Sequence, residues 1–366
     1  MTAARASPNL DFLRATAVLL VLADHVLSFV GVKATPYYSP KLGLLGVLLF
    51  FVHTSLVLMF SLERQHEKTG PANAFRIFML RRFFRVYPIS MLLVTFIYVL
   101  RIPNYFLEVR NIVPAHYDAL TYLSSLLLVQ NLTGKEAVIG VLWSLPYEML
   151  MYLFLPALFL FARKIRSAGT LLLCWLVSVI FAVAQAEVSF LPSLLRYLPC
   201  FLPGIIAYRL SMDTDRTSRR WPFWLFPTML FTCAAVYSVL QHHFERGAAF
   251  AGMPICLLVG STLPFFADPG DGMIRRISNL IARYSYGIYL TQTFCLWLAF
   301  MKLSALPVVA QWMLFTVAVA GLPVLLYHTV EAPMIAVGNR FIAARLGRHP
   351  APRLLSEFAP DSGPAL

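Results

Sequence analysis

Ten runs of apolar residues, each long enough to cross a hydrocarbon core of ~30 Å, recur along the chain near 12–32, 42–62, 83–101, 138–162, 169–186, 191–210, 221–241, 248–267, 278–301 and 306–330. In lipid, every backbone N–H and C=O has to be satisfied within the protein, which leaves helices as the natural form of such runs. Hydrophobic residues make up 59% of the 366 and charged residues 13%, against about 25% charged in an ordinary soluble domain. The expectation is an all-α, polytopic membrane helix bundle of about ten transmembrane helices.

The placement of charge orients that bundle. The formal net charge of +13 could point to nucleic acid, but the Arg and Lys residues fall in short clusters between apolar runs. These are "ERQHEKTG…RRFFR", "ARKIRS", "YRLSMDTDRTSRR", "IRRISNLIAR" and "NRFIAARLGRH". The alternate intervals, around Tyr37, between Pro103 and Glu136, and near Glu187, Gln241 and Lys302, carry few. With both termini cytoplasmic, every basic interval lies on the cytoplasmic side, which argues against a nucleic-acid partner and for membrane lipids as the surroundings. Five cysteines, scattered without a CxxC or His pairing, predict neither a disulfide framework nor a metal site. The first apolar run carries Asp24 and His25 and no small-residue cleavage site follows it, so it reads as a retained helix, not a signal peptide. The run from Leu120 to Asn131 is short for a span and reads as an interfacial or re-entrant helix, with an eleventh span as the alternative. Residues 1–340 read as the transmembrane domain and 341–366, rich in Pro and polar residues, as a disordered cytoplasmic tail. No internal repeat is visible.

Ionisable groups within the runs need a reason, since each costs about 2.5 to 3.5 kcal/mol near the bilayer centre. Arg14 and His25 are eleven residues apart, a rise of ~16.5 Å with a ~20° offset, so both face one side of the first helix. Arg81 and Arg85 lie one turn apart at the cytoplasmic end of the third run, with Arg82 joining them, a spacing suited to gripping a polyanion through forked guanidinium groups. Topology alone also accounts for arginines at such a boundary. Glu148 sits about two turns into the fourth run, entered from the outer side, and is expected at the depth of His25. A histidine or glutamate held by a neighbouring helix as a packing element is the plain alternative for each.

Five segments in order, "LDFLRATAVLLVLADH", "RRFFRVYP", "LWSLPYEMLMYL", "SYGIYLTQ" and "VEAPM", resemble the integral-membrane acyltransferase 3 family over residues 10 to 335. The resemblance implies O-acylation of an extracytoplasmic or lipid-linked carbohydrate, or a related glycolipid acceptor, by a cytoplasmic acyl-CoA, acetyl-CoA first among them, in a bacterial inner membrane. Residue by residue, Arg14 and His25 match the family's R-x10-H pair, Arg81 with Arg85 its arginine motif, and Glu148 the glutamate of its W-S-x-x-x-E motif. With these matches beside the residues' own chemistry, the expectation is catalytic roles for His25 and Glu148, donor binding by Arg14, Arg81, Arg82 and Arg85, and acceptor contacts from Asp24, Ser144, Tyr147, Tyr289 and Gln292, with no metal. Glu331 matches the glutamate of the family's E-x-P motif. Two departures stand out. Where many members have "FFVLSG" this chain has "FFVHTS", which introduces His53, and where many have "YLWH" it has "YLTQ", with Gln292 in place of His. A general base for a hydroxyl proton is most simply an imidazole, and a carboxylate from another helix could fix its tautomer. A secondary transporter of a small hydroxylated or anionic solute is the second class that buried His, Asp and Glu admit.

Overall fold

The computed structural model describes residues 7–30, 41–103, 117–165, 167–187, 194–212, 220–243 and 248–345. Among the described residues the chain is helical with no strand; one isolated bridge joins Trp221 to Phe266. The first helix, α1 (Pro8–Phe29), starts where Ser7 accepts a hydrogen bond from the Asn9 N–H and Pro8 occupies the first turn, where a missing N–H costs nothing. The second, α2 (Leu42–Thr69), and third, α3 (Pro71–Val99), meet at Gly70, whose φ of 75° suits a residue without Cβ. Their 28 and 29 residues correspond to about 42 and 43 Å, longer than a ~30 Å core. The basic interval between the second and third runs is therefore the helical end of a hairpin, because only Gly70 and Pro71 break a stretch otherwise rich in helix formers.

Beyond the undescribed 104–116, Asp118 caps the nine-residue α4 (Ala119–Leu127) by accepting from the Thr121 N–H at 2.7 Å. Its hydrogen bond from Lys135 holds the Asp118 carboxyl below the usual carboxylate range. Nine residues rise about 14 Å, so the short apolar run is no eleventh span. After a single helical turn, α5 (Gln130–Thr133), the backbone runs inward: Ala137, Val138, Ile139, Val141 and Leu142 are all buried. A 3₁₀ turn at Gly140–Ser144 then leads into α6 (Leu145–Lys164). Non-helical backbone at such a place is tolerated when protein surrounds it.

The remaining helices are α7 (Ala168–Glu187), α8 (Leu194–Ser211), α9 (Leu225–His243), α10 (Ala248–Thr262), α11 (Met273–Leu296), α12 (Val308–Leu326) and α13 (Ala332–Arg345). π-helical turns at Trp297–Lys302 and Tyr327–Glu331 follow α11 and join α12 to α13. Each of the ten apolar runs contains a helix. Among the described residues, five helical stretches are long and apolar enough to cross a membrane: Pro8–Phe29, Leu42–Thr69, Asn73–Val99, Gly140–Lys164 and Val308–Arg345. The last continues to Arg345, past the boundary expected at 340, and 346–366 lie outside the described residues, as do the loop around Tyr37 and residues 213–219 of the interval "YRLSMDTDRTSRR".

The core is built around α2, whose Leu45, Leu48, Val52, Leu58 and Met59 are 0–1% exposed. Helices in lipid gain little from a hydrophobic force between them, so close approach through small residues matters more. On one side Gly46 lies against Ala17, Leu20 and Val21 of α1; on the other Gly204 of α8 meets Ser55 and Val52. Ser55 Oγ donates to the Phe201 carbonyl at 2.7 Å across that second seam. Contacts at Gly43 with Asp24 and at Gly46 with Ala17 and Val21 make α1 and α2 antiparallel. Those of Asn279 with Asp11 and Ser285 with Arg14 make α1 and α11 parallel.

Candidate active site

Helices α1, α2, α3, α6 and α11 enclose a cavity of about 110 Å³, several times what one water requires. Along α2 its lining runs from Val47 to Leu58, eleven residues or about 16.5 Å of helix.

Three arginines line it. Arg14 Nε donates to Ser285 Oγ at 2.6 Å, and Ser285 spends its own proton on the Ala282 carbonyl at 2.8 Å. That fixes the guanidinium and leaves its terminal N–H groups uncommitted by the bond. From α3 come Arg82 and Arg85. Arg85 pairs with Glu331 at 3.6 Å, a carboxylate only 1% exposed at the π-helical turn. Arg82 Nε is buried with no hydrogen-bond partner, an unusual state for a charged group.

The periodicity of α6 explains how "WSLPYE" divides its work. Ser144, Glu148 and Tyr152, four residues apart, line the cavity, and the Tyr152 hydroxyl donates to Glu148 Oε1. Trp143 and Tyr147, offset by one residue, pack instead on Tyr197 with ring centroids 5.7 and 4.8 Å away. The Tyr289 hydroxyl donates to the Val141 carbonyl at 2.7 Å. Having one proton, it must accept from Ser144 Oγ at 2.8 Å. Tyr289 thereby ties α11 to the inward-running segment before α6.

Of the residues singled out in the sequence, the structure brings Arg14, Arg82, Arg85, Glu148, Ser144 and Tyr289 together around this cavity. Arg81, Asp24, His25, Tyr147 and Gln292 are not among its lining residues. Asp24, 7% exposed, accepts from the backbone N–H groups of Leu42 and Gly43 and so caps α2, whose own N-cap residue Lys41 makes no side-chain bond. His25 faces Gln292 of α11, while Gln292 Nε2 donates to the Tyr289 carbonyl at 3.2 Å. The expected common face of Arg14 and His25 is present, since both address α11. The expected common depth of Glu148 and His25 is not the arrangement found. Glu148 accompanies Arg14 and Arg82, because α6 starts within the bundle after a buried non-helical approach.

Tyr152, Ser285 and Tyr286 also line the cavity and were not singled out in the sequence. Tyr152 was accessible as the next i+4 step after Ser144 and Glu148, and Ser285 as the residue one turn before Tyr289. Among the described residues no cluster of His, Cys, Asp and Glu could hold a metal ion.

No curated protein and no solved structure matches the chain. A family model described as an acyltransferase domain matches residues 7–328, which takes in every helix that forms the cavity. With several apolar helices suited to an integral, multi-pass membrane protein, this chain belongs to the acyltransferase 3 family.

Proposed function

We propose that this acyltransferase moves an acyl group, acetyl first among the candidates, from cytoplasmic acyl-CoA to a hydroxyl of an extracytoplasmic or lipid-linked carbohydrate. The observation that carries the proposal is the cationic cavity itself: Arg14, Arg82 and Arg85 from two helices, with Glu148, inside an apolar bundle of this family. Guanidinium groups hold phosphate through charge-assisted, forked hydrogen bonds. Arg81, one residue before Arg82 on α3, adds charge on the same helix. In this reading the phosphates stay on the arginines and the thin acyl-pantetheine arm enters the cavity. The ten-span reading with cytoplasmic termini supports this sidedness, and a bacterial inner membrane is the proposed location. On the resemblance, His25 and Glu148 carry the proton chemistry, Gln292 and Tyr289 approach the acceptor, and no metal takes part.

The test is acetyl transfer by the purified, reconstituted protein. Membranes that carry the native acceptor are supplied with radiolabelled acetyl-CoA. Acceptor-dependent release of free CoA, with label incorporated into surface carbohydrate as an ester, is the expected result. Binding of acetyl-CoA without cleavage, or movement of a solute with no label transferred, would favour a transporter and overturn the proposal.

A further inference from the structure

His53 lines the cavity and is 6% exposed. Its height follows from the antiparallel pairing of α1 and α2. Asp24 meets Gly43, so ten residues onward along α2 and ten back along α1 bring His53 level with Arg14. The charges that act on it are those of Arg14 and Arg85, from α1 and α3. Among the described residues the imidazole has no hydrogen-bond partner, and neither ring nitrogen is among the buried polar atoms that lack one. A ring so nearly enclosed meets both conditions when its nitrogens open on the cavity.

Positive charge at this height is partly spent. Glu331 lies 3.6 Å from Arg85, and Glu148 lines the cavity with Arg14 and Arg82, so two carboxylates offset two of the three guanidinium charges. A diphosphate brings more negative charge than remains. An imidazole N–H opening on the same space adds a hydrogen bond to its oxygens and can do so uncharged. Unlike a further arginine, it adds no repulsion toward Arg14 and Arg85 in the donor-free protein.

We propose that His53 is a donor-binding residue whose ring N–H donates to the 5′-diphosphate of acyl-CoA, beside Arg14 and Arg85. The inference rests on the acyl-transfer reading above and deepens it. The diphosphate is fixed at this height, and the acyl-pantetheine arm continues along the bundle towards the level of His25, about 16.5 Å beyond Arg14 along α1. His53 selects for a phosphorylated donor and takes no part in making or breaking bonds. It acts on KM for acyl-CoA and leaves kcat to the groups at the far end of the arm.

The experiment compares His53→Leu and His53→Gln with the parent, each reconstituted and checked for monodispersity. Two donors are used, acetyl-CoA and S-acetyl-pantetheine, which has the same thioester arm and no phosphate. For His53→Leu the expected result is acetyl-CoA affinity lowered about tenfold, as for one hydrogen bond to a charged group. S-Acetyl-pantetheine affinity and kcat should both stay within about threefold of the parent. His53→Gln keeps an N–H donor and should lose less affinity for acetyl-CoA. Unchanged acetyl-CoA affinity in His53→Leu overturns the proposal. So does an equal loss for both donors, which would put His53 against the arm, or a fall in kcat with KM unchanged, which would put it in the transfer step. The parent supplies a reading independent of folding by the variants: CoA should slow carbethoxylation of His53 by diethyl pyrocarbonate, and equal labelling with and without CoA also overturns the proposal. A parent that binds acetyl-CoA and transfers no acetyl group removes the acyl-transfer reading, which distinguishes that failure from a failure of His53 alone.

Discussion

Arg85 and Arg82 occupy the same cavity but are held differently, and the difference predicts different mutants. Arg85 has the buried carboxylate of Glu331 at 3.6 Å. Removing one partner of a buried pair typically costs about 3 to 5 kcal/mol, since the other loses its compensation. Glu331→Ala should therefore lower thermal stability in detergent markedly. Glu331→Gln, which retains an acceptor oxygen, should do so less. Arg82 Nε is buried and unpartnered, so Arg82→Ala removes a side chain whose Nε–H is unspent in the free protein. Its folding should change little. Acetyl-CoA affinity should fall about tenfold or more, the equivalent of one charge-assisted hydrogen bond at ~1.5 to 3 kcal/mol. Calorimetric titration checks this, and unchanged affinity would leave Arg82 as a marker of topology only.

Between elements, two seams on α2 are set by single residues. A Cβ added at Gly204 would stand 2.0 Å from Ser55 Oγ and 2.4 Å from the Val52 carbonyl oxygen. The second of these contacts is backbone and cannot rotate away. Gly204→Ala should push α8 from α2 and cost on the order of 1 to 3 kcal/mol, as overpacking does. Ser55→Gly introduced in the same chain should restore only part of this, because Val52 remains; the melting temperatures of the two variants decide it. At the other seam, Asp24 caps the start of α2 from a neighbouring helix. Asp24→Ala should cost about 0.5 to 2 kcal/mol, as a lost N-cap does, while Asp24→Asn should be nearly neutral for stability and transfer. A large fall in acceptor affinity with Asp24→Asn would instead give Asp24 a place in acceptor binding.

At the scale of the whole molecule, the alternating charge of the intervals predicts that Glu136→Cys is labelled by an impermeant maleimide from outside intact cells. Lys164→Cys, at the other end of α6, should be labelled only after permeabilisation; the reverse pattern would invert the bundle and the proposed donor side. The same charge pattern and the ten apolar runs made the helical class legible from sequence, because run length and polarity act locally. So did the shared direction of Arg14 and His25 and the Ser144–Glu148 spacing, which depend only on helical periodicity. What sequence alone did not determine is which helices adjoin. Arg14 rests on Ser285, 271 residues away, a contact that depends on how α11 packs rather than on any local pattern. Glu148 proved level with Arg14, and not with His25, because counting from the membrane surface assumes that a span begins there, and α6 begins inside the protein. Asp24, one residue from His25, turned to the backbone of α2, since adjacent side chains on a helix diverge by ~100° and its own face meets an uncapped helix start. His53 was visible as an unexpected residue in "FFVHTS", but only the packing of five helices gave it a cavity to face. A residue's height and direction on its own helix are fixed by local geometry; its chemical neighbours are fixed by the tertiary packing of segments far apart in the chain.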